Sequence, residues 1–148
     1  MALRHLLFVF GTLKRGFPLH ERALGDAVFI GQARTVERYP MPIAGPWFAP
    51  MMLTEPGEGR SVSGEVYQID DARLALIDGL ESVDQPGNRR ISIRVRMHRD
   101  GESVSAFAYL KDRFLADPVH SGLLDTYDDT RFIPPECRTS RDGQGGLK

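Results

Sequence analysis

Ile91, Ile93, Val95 and Met97 alternate with Ser92, Arg94, Arg96 and His98. This period of two marks a half-buried strand. Asp100-Gly101 supplies a hairpin turn after it, and the return strand, Val104 to Leu110, places Phe107 and Tyr109 on a common face. Earlier in the chain an apolar run of strand composition, Leu6 to Phe10, stops at Gly11. Further strands are predicted at Val28 to Glu37, Met51 to Leu53 and Ser61 to Ile69, the last two separated by the turn-rich Glu55-Pro56-Gly57-Glu58-Gly59. After Ile69 the period changes. Leu74, Ile77 and Glu81 are three and four apart and share one face of a helix, for which Asp70 or Asp71 is a natural N-cap. Glu81 therefore extends an apolar stripe at the point where that helix should end. A shorter helical stretch, Pro18 to Leu24, has proline at a first-turn position. Its His20 reads as a packing residue, and the proline-rich Tyr39 to Trp47 reads as an irregular, stiff segment.

About six strands and two short helices, without βαβ alternation, predict an α+β domain on a mainly antiparallel sheet. The chain has 148 residues, enough for one core and one domain. We place that domain at 1–124 and a polar tail at 125–148, which composition alone makes flexible; Gly143, Gly145 and Gly146 lie in it.

The net charge of −1 excludes a dedicated nucleic-acid binder, which carries a basic excess. Arg94 and Arg96 fit the solvated face of a strand. No stretch approaches the roughly 20 apolar residues of a membrane span, and Leu6 to Phe10 is too short for a signal-peptide core. The single cysteine, Cys137, rules out an intrachain disulfide. These features predict a cytoplasmic protein. His5, His20, His98 and His120 are scattered, with no metal-binding spacing. No Gly-x-Ser-x-Gly elbow is present, and Gly11 to Gly16 spells neither a phosphate loop nor a dinucleotide fingerprint. No cofactor is expected. The candidate chemistry is one carboxylate, Glu81, and a glycine-bounded loop whose backbone N–H groups can cradle an anion.

Two stretches carry a resemblance. Phe10-Gly11-Thr12-Leu13-Lys14-Arg15-Gly16 follows a strand, and Gly64-Glu65-Val66-Tyr67 leads into a helix closing in Asp78-Gly79-Leu80-Glu81. Together they resemble the γ-glutamylcyclotransferase-like family, especially its γ-glutamylamine branch, over about residues 5 to 115. Tyr39-Pro40-Met41-Pro42-Ile43-Ala44-Gly45 is similar to a family stretch near the substrate cavity. The resemblance implies a small closed or nearly closed barrel with short flanking helices and a small γ-glutamyl substrate. It implies that Glu81 is the catalytic acid/base, and that Phe10, Gly11, Thr12, Leu13 and Tyr109 contact the substrate. The expected reaction releases 5-oxoproline and a free amine. A biosynthetic use of the same cyclisation, removing a protective γ-glutamyl group, is one alternative. A non-catalytic domain that binds a small molecule or a partner is another.

Two departures stand out. Phe10 occupies the place of a family tyrosine, and Asn88-Arg89-Arg90 stands where the family has Tyr-x-Arg. Both bear on the leaving group. Asp78 and Asp84 read as solvated surface acids, and Lys14 and Arg15 as loop cations.

Overall fold

The computed structural model describes residues 4–138. Five strands close a barrel in the order β1 (Arg4–Val9), β5 (Ser63–Asp70), β2 (Val28–Thr35), β6 (Asn88–Met97), β7 (Ser103–Lys111). Four of the five pairings are antiparallel; the seam that closes the barrel, β1 on β7, is parallel at Leu7 and Phe107. The sequence pattern predicted about six strands in one sheet. The remaining two, β3 (Ile43–Ala44) and β4 (Ala49–Pro50), instead pair as a separate two-stranded sheet. Met51 to Leu53 is not a strand of its own, although Met51 N–H donates to Pro42 O and Leu53 N–H to Pro40 O.

Alternation along the strands sorts two cores. Phe8, Phe10, Val66, Ile93, Val95, Met97, Ala106 and Ala108 pack together as the barrel core. Their neighbours Leu7, Val9, Tyr67 and Ile69 pack on α1 (His20–Ala23) and α2 (Asp71–Leu80) through Ala23, Leu74 and Ile77. A helix on the outer face thus shields one side of β1 and β5 while the barrel interior shields the other.

Helix α2 begins as its sequence indicates. Asp70 is the N-cap, its carboxylate accepting from Arg73 N–H at 2.9 Å. The helix ends in a Schellman pattern: Ser82 N–H donates to Gly79 O and Val83 N–H to Asp78 O, each at 3.2 Å. Ser82 takes the left-handed position there, at φ +53. Glu81 is the C-cap residue immediately before it.

The stretch from Asp125 to Arg138, which composition reads as a flexible tail, packs against the barrel. Tyr127 is 1 % exposed and belongs to the barrel core. Its carbonyl accepts from Lys14 Nζ at 2.9 Å, Asp125 O accepts from Ser63 N–H, and Arg22 pairs with Glu136. The boundary at residue 124 therefore does not mark the end of packing. Gly143, Gly145 and Gly146 lie outside the described residues.

Two glycines make opposite predictions. A Cβ on Gly64 would lie 2.3 Å from Val9 O and 2.7 Å from the Phe8 ring, so Gly64→Ala must part β1 from β5. It should cost about 1–3 kcal/mol, as overpacking does. A Cβ on Gly79 meets nothing within 4 Å, so Gly79→Ala should gain about 0.5–1 kcal/mol from helix propensity. Urea denaturation of the two variants checks both signs.

Candidate active site

The loop after β1 is fixed by three interactions that its sequence does not announce. Glu65, buried on β5, accepts from Arg15 N–H at 3.0 Å and from Tyr67 OH at 3.0 Å. His20 Nδ1 donates to Leu13 O at 2.8 Å, consistent with a packing role for this residue. Lys14 is buried on Tyr127 O and is not a cation presented to ligand; Arg15 stacks over Phe29. The loop is held on every side, yet the N–H groups of Gly11, Thr12 and Leu13 donate to no acceptor among the described residues.

A cavity of about 490 Å³ opens above this loop. That is an ordinary size for a small-molecule site. Phe10, Gly11, Thr12, Leu13, Glu81 and Tyr109 all line it, so the six residues singled out from sequence come together at one place. Gly11 also meets a wall of the cavity. A Cβ on it would lie 2.5 Å from Pro50 Cγ, in the cavity wall supplied by β4. Its smallness lets loop and wall touch.

The charges in the cavity are few. Glu81 is partly buried where α2 ends, and burial pushes its carboxyl above the ordinary carboxylate range, against the Lys111 ammonium, which pulls it down. Lys111, at the end of β7, is lowered in turn by burial, with Glu81 opposing. Sequence reading passed over Lys111, because a lysine closing a strand looks like a solvated end. Its Nζ donates to Asn88 Oδ1 at 2.6 Å, and Asn88 Nδ2 donates to Ser82 O at 3.1 Å. At the position where the resemblance expects tyrosine, an asparagine thus ties Lys111 to the turn that carries Glu81. Phe10, the other departure, is turned into the barrel core beside Phe8, with ring centroids 6.3 Å apart.

Tyr109 is 7 % exposed, and its OH donates to Asp78 at 2.7 Å. Burial first, and then this bond to a carboxylate, drive its phenol far above the ordinary range. Asp78 is therefore not a solvated surface acid: it also pairs with Arg90 and braces α2 against β7. Asp84 is exposed as expected. Trp47, Phe132, Pro135 and Arg138 also line the cavity, three of them from the segment that composition reads as a tail.

Residues 7–128 match the family described as gamma-glutamyl cyclotransferase, AIG2-like. This chain belongs to that family. It is a cyclotransferase by membership, and it resembles "Gamma-glutamylaminecyclotransferase" of Bos taurus at 37 % identity over 89 % of this chain and 83 % of that one. The protein of the same name from Homo sapiens is 36 % identical over 90 % and 99 %. The crystal structure of an AIG2-like protein from Mus musculus superposes with a TM-score of 0.80 and 33 % identity, covering 91 % of this chain and 99 % of that chain. The closed barrel with short helices is thus the fold of the family. Among the described residues, no helix is long and apolar enough to cross a membrane.

Gly11→Ala should force the loop away from Pro50. We expect a loss of about 1–3 kcal/mol in stability together with a fall in turnover, seen by thermal unfolding and activity assay side by side. Normal values of both would mean that loop and wall need not touch.

Proposed function

We propose that this protein cyclises a γ-glutamyl amine, releasing 5-oxoproline and the free amine. The substrate brings its own nucleophile. Its α-amine nitrogen attacks the γ-carbonyl carbon, a five-membered lactam closes, and the amide C–N bond to the leaving amine breaks. Holding the substrate folded contributes heavily, since well-oriented intramolecular reactions reach effective molarities on the order of 10⁵ M or more. As written, the reaction needs no cofactor.

The observation that carries this reading is a single carboxyl raised by burial in the same cavity as three N–H groups with no acceptor among the described residues. Glu81 takes a proton from the α-ammonium and returns one to the leaving nitrogen; a carboxyl with raised pKa suits both transfers. The N–H groups of Gly11, Thr12 and Leu13 receive the substrate carboxylate or the developing oxyanion. Phe10 and Tyr109 wall the substrate. Asp78 and Arg90 fix Tyr109, and the Asn88 bridge fixes Lys111 relative to Glu81. The names of the similar proteins support the γ-glutamylamine class of substrate.

Glu81→Gln should fold, bind 5-oxoproline, and lose about 10²–10⁴-fold in kcat, the usual worth of a positioned acid/base. The same change should alter stability with a definite sign. A carboxyl whose folded pKa is raised binds its proton more tightly when folded, so stability falls as pH rises between the unfolded and folded values. The Gln variant should therefore be more stable than wild type at neutral pH and equal to it in acid. Unfolding at the two pH values reads this directly, and wild-type turnover in the variant would remove Glu81 from the mechanism.

A second prediction concerns Lys111. Its charge is the influence that lowers Glu81, so Lys111→Met should shift the acid limb of kcat/KM to higher pH. An unmoved limb would show that the titrating base is another group.

A further inference from the structure

Lys111 closes β7 at a junction that fixes both its backbone and its side chain. On one side it pairs with Asn88 of β6. On the other, Lys111 N–H donates to Met52 O at 2.9 Å and Lys111 O accepts from Thr54 N–H at 3.0 Å. Lys111 stands two residues after Tyr109, so the two side chains leave the strand on the same face, and both line the cavity. Nζ donates to Asn88 Oδ1 at 2.6 Å, and Asn88 Nδ2 donates to Ser82 O at 3.1 Å. One asparagine therefore ties the ammonium to the residue that follows Glu81.

This ammonium has no partner anion. Among the described residues no carboxylate lies within ion-pair distance of Lys111, and each ion pair uses another cation. Of its three N–H donors, one is spent, on Asn88. Burial pushes Lys111 below the ordinary lysine range, and the charge of Glu81 opposes this. A partly buried cation without a paired anion is costly, and that cost falls when negative charge develops beside it. A γ-glutamyl amine brings two such groups. Its α-carboxylate is charged throughout, whereas its γ-carbonyl oxygen gains charge only as the ring closes. In the mechanism above the attacking nitrogen faces Glu81, and the γ-carbonyl carbon is the atom it attacks. The cation that acts on Glu81 is Lys111, which places it with the carbonyl and leaves the N–H groups of Gly11 to Leu13 for the α-carboxylate.

We propose that Lys111 is a second catalytic residue, whose ammonium donates a hydrogen bond to the γ-carbonyl oxygen as that oxygen becomes an oxyanion. This rests on the cyclotransferase reading. The lone pair of the α-nitrogen forms the bond to carbon, and the carbonyl π pair moves onto oxygen beside Lys111. That pair then returns, the amide C–N bond breaks, and its electrons leave with the departing nitrogen. Glu81 carries two protons in turn from the ring nitrogen to the departing one. The three hydrogens of the α-ammonium thus end as one on the lactam nitrogen and two on the released amine, which leaves as an ammonium. Lys111 keeps its own protons.

The test measures kcat and KM on glutamate joined through its γ-carboxyl to the ε-amine of lysine, at a pH above the acid limb of every protein compared, so that a shifted Glu81 does not enter. Lys111→Met should lose about 10²–10³-fold in kcat, the worth of one oxyanion donor. KM should stay within about threefold, because the contact strengthens only in the transition state. Lys111→Arg, which retains the charge, should recover part of the loss. Wild-type kcat in Lys111→Met, or a loss carried by KM alone, would overturn the role while leaving cyclisation intact. A crystal structure of wild type with 5-oxoproline checks the same contact without a variant. The lactam carbonyl oxygen should lie within about 3.2 Å of Lys111 Nζ, and a carbonyl out of its reach would overturn the proposal even if both variants failed to fold. If wild type cyclises no γ-glutamyl amine, the cyclotransferase reading itself falls, and this proposal falls with it.

Discussion

Where Leu7 of β1 meets Phe107 of β7, the barrel closes on its one parallel pair. Parallel neighbours run the same way, so the loop beyond β1 and the end of β7 emerge together. Gly11 to Leu13 and Tyr109 to Lys111 share a mouth for this reason. Helix α2 starts at the far end of β5 and runs back along the barrel wall on Leu74 and Ile77, which returns Glu81 to the same mouth. An antiparallel seam would have sent the end of β7 to the opposite end. The candidate active site is a consequence of strand direction before it is a consequence of any side chain.

Upon that frame the site is made rigid by polar contacts that cost little chemistry. Glu65, His20 and Lys14 hold the Gly11 loop, through Arg15 N–H, Leu13 O and Tyr127 O. Ser82 closes α2 in a left-handed turn that leaves Glu81 at its very end. Asn88 then spans Ser82 and Lys111. Preorganisation of this kind spares the reaction the reordering of donors and acid at the moment of attack. Glu81 itself remains under tension between burial, which favours its neutral form, and Lys111, which favours its charge. That balance suits a group asked to be base and then acid.

What the sequence revealed follows the range of the interactions. The Asp70 cap and the β6–β7 hairpin rest on local period and turn chemistry, so they could be read directly, whereas Glu81 and the Gly11 loop stood at a helix end and a strand end and were singled out by the resemblance. Tyr109 came through the resemblance, and its place in the cavity agrees with it, but its partner Asp78 looked like surface charge because the pairing bridges 31 positions. Lys14 looked like a solvated loop cation; Tyr127, 113 positions away, makes it a buried strut. The greatest misreading was the C-terminal stretch. Its polar composition hides one tyrosine that fills the barrel and one arginine that enters the cavity, neither of which has a periodicity to betray it. Met51 to Leu53 failed as a strand because its contacts are divided: Met51 and Leu53 donate to carbonyls of the irregular proline segment, and only Lys111 at the end of β7 pairs with it from the barrel.

The proposed cyclisation requires Glu81 to face the reacting nitrogen while the Gly11 loop holds the anion. A crystal structure of the protein with 5-oxoproline bound tests this most directly. It should place a Glu81 carboxyl oxygen within about 3.2 Å of the lactam nitrogen, with the product carboxylate or carbonyl on the N–H groups of Gly11 to Leu13. Product bound with Glu81 out of reach of that nitrogen, or resting away from the loop, would contradict it.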